Sequence, residues 1–146
     1  MKKTMSNKKR VLILCTGNSA RSQMAEGLLR RIGGSNIEVE SAGVEPSSVR
    51  LEAIEVMSEI GIDISGNRSK SADEFIGRDF DYIITVCDKA KETCPVFPGK
   101  AVRIHRSFED PPAAAAGEYQ WRLGIFRRVR DELDEWLEDL SKTILV

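Results

Sequence analysis

Val11-Leu12-Ile13-Leu14, followed by Cys15-Thr16-Gly17-Asn18-Ser19-Ala20-Arg21-Ser22, is the stretch that decides the fold. Four consecutive apolar residues read as a strand buried on both faces. A polar loop with Gly17 and Asn18 follows. Then Ser22 to Ile32 places Met24, Ala25, Leu28, Leu29 and Ile32 at helical spacing, and Gly33-Gly34 stops the helix. Strand, Gly-containing loop and helix in that order form the opening of a parallel α/β unit.

The rest of the chain repeats the alternation. Strands are expected at 37–41, 82–86 and 101–104, and helices at 49–60 and 119–140, with a short helix at 71–76. The expected fold is therefore α/β, a four-stranded parallel sheet flanked by helices on both faces. Residues 1–9 read as a flexible basic tail and 10–146 as one domain. In such sheets ligands bind beyond the carboxyl ends of the strands. Loops leaving the strands at Cys15, at Cys87 and after Ile104 should therefore share one edge.

The loop carries the chemistry. Gly17 and Asn18 tolerate unusual dihedrals, so residues 16–21 can curl and turn backbone N–H groups inward as an anion nest. The helix that follows adds its positive end. Arg21 closes the ring with a planar, bidentate grip. Thr16, Gly17, Asn18, Ser19, Ala20, Arg21 and Ser22 are the expected oxyanion-binding set. Cys15 at the base should have a lowered pKa and act as a nucleophile, with Ser22 donating to its thiolate. A Cys–Arg spacing of this kind arises by chance in about a quarter of such chains, so the strand–loop–helix context is what carries the assignment.

Composition sets limits. The formal net charge is -1, which gives no footprint for nucleic acid. The basic N-terminus leads into only four apolar residues, against the roughly 7–15 of a signal peptide. No stretch approaches the roughly 20 apolar residues of a membrane span. A cytoplasmic monomer is expected. Three cysteines in a reducing compartment are read as catalytic, redox or metal-binding. Cys87 and Cys94 stand six residues apart around a Pro/Gly-containing loop and can meet in a disulfide; a half-built metal site or inert thiols are the alternatives. With no second CxxC pair, zinc is not expected, and His105, the single histidine, reads as a strand-end packing residue. Asp110, before Pro111, sits on a loop at the same edge and can protonate a leaving oxygen.

Val11 to Leu29, read VLILCTGNSARSQMAEGLL, resembles the low-molecular-weight protein tyrosine phosphatase superfamily and looks most like its thioredoxin-coupled arsenate reductase branch. The likeness continues through Val39–Gly43, Gly61–Ser65, Thr85–Cys87 to Cys94-Pro95, Phe108–Pro111 and the final helix. The resemblance implies that Cys15 attacks arsenate held by the loop and Arg21, with Asp110 as general acid. Cys87 then attacks Cys15, Cys94 attacks Cys87, and thioredoxin reduces the Cys87–Cys94 disulfide. No tightly bound cofactor is implied, and phosphate or sulfate would compete as oxyanions. Some relatives bind potassium near the loop. Asn18, Glu26 and Ser41 match that region, but Lys70 stands where an Asp is expected, and the Lys70 ammonium is read as replacing the ion by tethering to Glu26 or Asn18. Ala20 replaces a second loop cysteine common among relatives.

The alternative is a low-molecular-weight protein tyrosine phosphatase hydrolysing phosphate monoesters. Such enzymes carry aromatics after the Asp-Pro pair. Here Pro112-Ala113-Ala114-Ala115-Ala116 follows, with no aromatic until Tyr119. A non-enzymatic As(III) or metal-responsive thiol module is a further rival, and it leaves Arg21 and Asp110 without a role. Weak phosphatase side activity is expected of a reductase, because phosphate and arsenate share shape and charge.

Overall fold

The computed structural model describes residues 8–88 and 100–145. Its elements are β1 (Lys9–Cys15), α1 (Arg21–Gly33), β2 (Ile37–Gly43), α2 (Leu51–Ser58), β3 (Tyr82–Thr85), β4 (Val102–His105) and α3 (Tyr119–Ile144). The strands form one parallel sheet in the order β2-β1-β3-β4. The α/β reading and its four parallel strands are therefore borne out.

β1 is central, and Val11, Leu12, Ile13 and Leu14 are each fully buried. Each such side chain contributes about 1.5–3 kcal/mol relative to exposure. β1 opens at Lys9, paired with Ile37, so the strand reaches into the stretch read as a tail. The predicted 71–76 helix is a single 3-10 turn, Ala72–Phe75, capped by the Ser71 side chain.

α1 packs on α3 and β2, and α2 packs on α3. A Cβ at Gly27 would lie 3.1 Å from the side chains of Met57 and Ile62, so the absence of one lets the α2 region press close. α1 ends at Gly34, whose φ of +55° a glycine adopts without strain. α3 runs four residues beyond its expected end because Ser141 and Ile144 are still buried on the same stripe as Leu123, Phe126, Val129, Leu133 and Leu137. Among the described residues, no helix is long and apolar enough to cross a membrane.

The register places the site. Cys15 pairs with Gly43, Leu14 with Thr85, and Thr85 with His105. All four strands therefore deliver their carboxyl ends to one edge, and Cys87 follows β3 by two residues at the level of Cys15 and just beyond.

Candidate active site

The carbonyls of the 15–19 loop all face away from its centre. Cys15 O accepts from Val44 N at 3.2 Å, Thr16 O from Glu45 N at 2.8 Å, Gly17 O from Ser47 N at 3.0 Å and Ser19 O from Arg50 N at 2.9 Å. Asn18 O accepts from Gln23 Nε2 at 3.2 Å. A trans peptide holds its C=O and the next N–H on opposite sides. Outward carbonyls at 15–19 therefore turn the N–H groups of 16–20 inward, which is the expected anion nest. The curl needs Asn18 at φ +48°, a left-handed value that asparagine adopts more readily than other non-glycine residues. Its amide is pinned accordingly, donating to Ser22 Oγ at 2.8 Å and Ser41 Oγ at 2.9 Å while its oxygen accepts from Lys70 N at 2.8 Å and Gln23 Nε2 at 2.9 Å.

The nest opens into a small cavity of about 200 Å³ lined by Cys15, Thr16, Arg21, Arg50, Asp110 and Pro111, among others. Arg21 is buried; Nη1 donates to Phe108 O at 3.0 Å and Nη2 lies 3.3 Å from Asp110 Oδ1. The carboxyl of Asp110 is 81% exposed. The sheet edge thus brings Cys15, Arg21 and Asp110 to one cavity, as expected.

Cys87 joins them. Its Sγ lies 3.1 Å from Thr16 Oγ1, and its thiol is near enough to Cys15 to raise that residue's pKa. Both sulfurs are thiols and both residues are buried. This pairing corrects one expectation. The Cys15 thiol is pushed up, not down: first by its hydrogen bond with Cys87, then by burial, while Arg21 and the Thr16 N–H pull the other way without winning. Ser22 Oγ accepts from Asn18 Nδ2 at 2.8 Å, which leaves its O–H as a donor. It braces the loop. Cys94 lies outside the described residues.

The low molecular weight phosphotyrosine protein phosphatase family matches residues 10–145. The chain belongs to this family. It is 42% identical to an arsenate reductase of Halalkalibacterium halodurans, over 94% of this chain and 98% of that protein. A solved arsenate reductase in the phosphate-binding state aligns with a TM-score of 0.75 at 35% identity, over 93% of this chain and 98% of that one. A thioredoxin-dependent arsenate reductase of Corynebacterium glutamicum aligns with a TM-score of 0.72 at 32% identity, over 97% of this chain and 64% of that one.

In this phosphatase-family member the region matched to a monovalent cation is already occupied by protein. Lys70 Nζ lies 3.9 Å from Glu26 Oε1, which also accepts from Ser41 Oγ at 2.5 Å. Arg30 Nη2 lies 2.7 Å from Glu26 Oε2. Asn18 Oδ1 is spent on Lys70 N and Gln23. Two cations already face one carboxylate, and the amide oxygen has its donors, so a potassium ion does not fit these residues. Of the two tethers expected for the ammonium, the Glu26 one is present; toward Asn18 it is the backbone N–H of Lys70 that donates.

Sequence reading missed Arg50. Its guanidinium lines the phosphatase-family cavity, donates to Glu52 Oε2 at 2.9 Å and Pro112 O at 3.0 Å, and stacks 5.1 Å from the Phe126 ring centroid. Glu52 also accepts from Arg122 Nε at 2.7 Å. Burial opposes ionisation of Glu52, but the two guanidiniums outweigh it and hold its pKa low. No local pattern around residue 50 announces contacts 62 residues away. Among the described residues, no aromatic side chain lines the cavity. Tyr119, the first aromatic after Pro112, donates to Glu55 Oε1 at 2.6 Å and so is held on α2.

Proposed function

We propose that this chain reduces arsenate to arsenite through Cys15, Cys87 and Cys94, with electrons from thioredoxin. The observation that carries the reading is Cys87, a second buried thiol 3.1 Å from Thr16 Oγ1 and near enough to Cys15 to raise its pKa. A phosphatase needs one thiol there; a two-electron reduction needs a second within reach of the first.

The inward N–H groups of 16–20 and the Arg21 guanidinium hold the oxyanion over Cys15. Cys15 keeps its proton while paired with Cys87, so an arsenate dianion entering the nest accepts that proton and releases the thiolate. The thiolate forms a bond to arsenic, Asp110 supplies a second proton, and one oxygen leaves as water. Cys87 then attacks Cys15 Sγ. The sulfur–arsenic bond breaks with its electron pair staying on arsenic, giving arsenite and a Cys15–Cys87 disulfide. The Cys94 thiolate displaces Cys15 from that disulfide, and the thioredoxin dithiol reduces the resulting Cys87–Cys94 bond. One arsenate, two thiols and one disulfide balance with one water. Lys70 serves in place of a monovalent cation by neutralising Glu26 behind Asn18. The same nest accommodates phosphate, so slow hydrolysis of aryl phosphates is part of the reading. The run Pro112-Ala113-Ala114-Ala115-Ala116 after Asp110-Pro111, with no aromatic until Tyr119, favours reduction as the main activity.

The test is arsenate turnover with thioredoxin, thioredoxin reductase and NADPH, set against aryl phosphate hydrolysis by the same preparation. Full turnover by Cys94→Ser with thioredoxin as sole reductant would sink the relay. Aryl phosphate hydrolysis without any arsenate-dependent NADPH oxidation would establish the phosphatase alternative. Asp110→Asn should slow the chemical step with oxyanion affinity kept.

A further inference from the structure

Thr16 and Cys15 hold Cys87 from the loop side. From the other side, the chain around it is held by a residue the reaction does not use. His105, the single histidine, ends β4. Its Nδ1 lies 2.7 Å from Thr85 Oγ1, and its Nε2 lies 3.1 Å from Asp88 Oδ1. Thr85 closes β3 and Asp88 stands three residues later, so the imidazole spans the two residues that bracket Val86 and Cys87. With Nε2–H donating to the carboxylate, the Thr85 hydroxyl donates to Nδ1, and each ring nitrogen has one well-matched partner. The expected strand-end packing role is thus replaced by a polar bridge on a half-buried ring.

The bridge falls where the ladder ends. Val86 is held on both sides, its N–H donating to Leu14 O at 3.0 Å and its C=O accepting from Phe108 N at 3.0 Å. Past Val86 the chain leaves the sheet, and the turn direction of 87–88 sets where the Cys87 Cβ points. Thiol–disulfide chemistry needs the attacking sulfur aimed along the bond that breaks, and a misplacement of about 1 Å costs on the order of 100-fold.

We propose that His105 is a positioning residue for Cys87, clamping Thr85 to Asp88 so that the second thiol is aimed at Cys15. The proposal rests on the relay reading above. It separates two functions of one cavity: the clamp governs sulfur–sulfur bond formation and leaves oxyanion capture by the nest alone.

The experiment uses the full chain with Cys94→Ser, so that the first disulfide accumulates. Two rates are measured in this background for His105, His105→Ala and His105→Gln: Cys15–Cys87 disulfide formation after stoichiometric arsenate, and after diamide, a thiol oxidant that needs no oxyanion. Phosphate affinity is measured alongside. The clamp predicts that His105→Ala slows both rates at least tenfold with the phosphate Kd within twofold of the parent. His105→Gln, which restores a donor toward Asp88, recovers most of the loss. Asp88→Ala, on the exposed side of the bridge, should reproduce the His105→Ala slowing. Rates within twofold of the parent overturn the proposal, and so does a parallel loss of phosphate binding, which marks a general packing role. A chain that forms the disulfide with diamide but yields no arsenite refutes the reduction reading, while the diamide rates still decide the clamp.

Discussion

The Arg50 guanidinium donates to the carbonyl of Pro112 at 3.0 Å, tying the start of α2 to the segment that carries Asp110. Asp110 is exposed, and the segment carrying it is anchored two residues on by this bond. Hydrogen bonds from charged groups contribute about 1.5–3 kcal/mol. Arg50→Met should therefore lower arsenate turnover by about tenfold or more, and Arg50→Lys should recover only part, because an ammonium loses the planar stacking over Phe126 that holds the guanidinium in place. Steady-state kinetics with arsenate check this; unchanged kcat in Arg50→Met would show that the anchor is idle.

Cys87 sets the acidity of Cys15. Removing the partner in Cys87→Ala deletes the largest cause of the raised Cys15 pKa, so Cys15 should ionise at lower pH and react faster with iodoacetamide at pH 7. The pairing also has a stability consequence. The folded chain keeps Cys15 protonated beyond the pH where an unfolded thiol ionises, about 8.5. The unfolded state thus binds fewer protons above that pH, and stability falls as pH rises. Thermal melts from pH 7 to 10 should show this slope in the parent and a weaker one in Cys87→Ala.

Lys70 is buried against Glu26. Lys70→Met removes one partner of a buried pair, a change that costs about 3–5 kcal/mol when no other cation is present. Arg30 remains on the same carboxylate, so the loss should fall at the lower end or below it. Lys70→Asp should make the melting temperature respond to KCl and not to NaCl at equal ionic strength, while the parent responds equally to both. A potassium-specific gain in the parent would remove the cation-replacement role.

Gly43 ends β2 beneath the loop. A Cβ there would lie 2.6 Å from Thr16 O and 2.8 Å from Asn18 N, both backbone atoms that cannot swing aside. Overpacking of this kind costs about 1–3 kcal/mol. Gly43→Ala should lower stability by that amount and weaken phosphate binding more than any substitution of an exposed residue, as isothermal titration would measure.

What could be read from the sequence was local. The strand–loop–helix unit at 11–32 follows from apolar spacing and from the left-handed φ that Asn18, though not Gly17, adopts, so the nest and Arg21 were legible. Parallel topology then placed Cys87 and Asp110 at the same edge. Side-chain partners across long separations were not legible. That Ser22 Oγ would accept from the Asn18 side chain and so brace the loop was not legible. Cys15 was expected to be acidic because the nest favours the thiolate, and sequence could not show that a second thiol would sit close enough to reverse the balance. Arg50 and His105 act through partners 62 and 17 residues away, and their neighbours in sequence give no sign of it.

The outward carbonyls of 15–19 carry a final consequence. Four of their five partners, at 44, 45, 47 and 50, arrive in a fixed phase from one connecting segment that supplies no reacting atom. Adding or deleting a single residue there would put the donors out of step with the acceptors, and the peptide planes of the nest would be free to flip. The amide hydrogens of Val44, Glu45, Ser47 and Arg50 should accordingly exchange with solvent as one group, reporting by their common rate how often the empty nest comes undone.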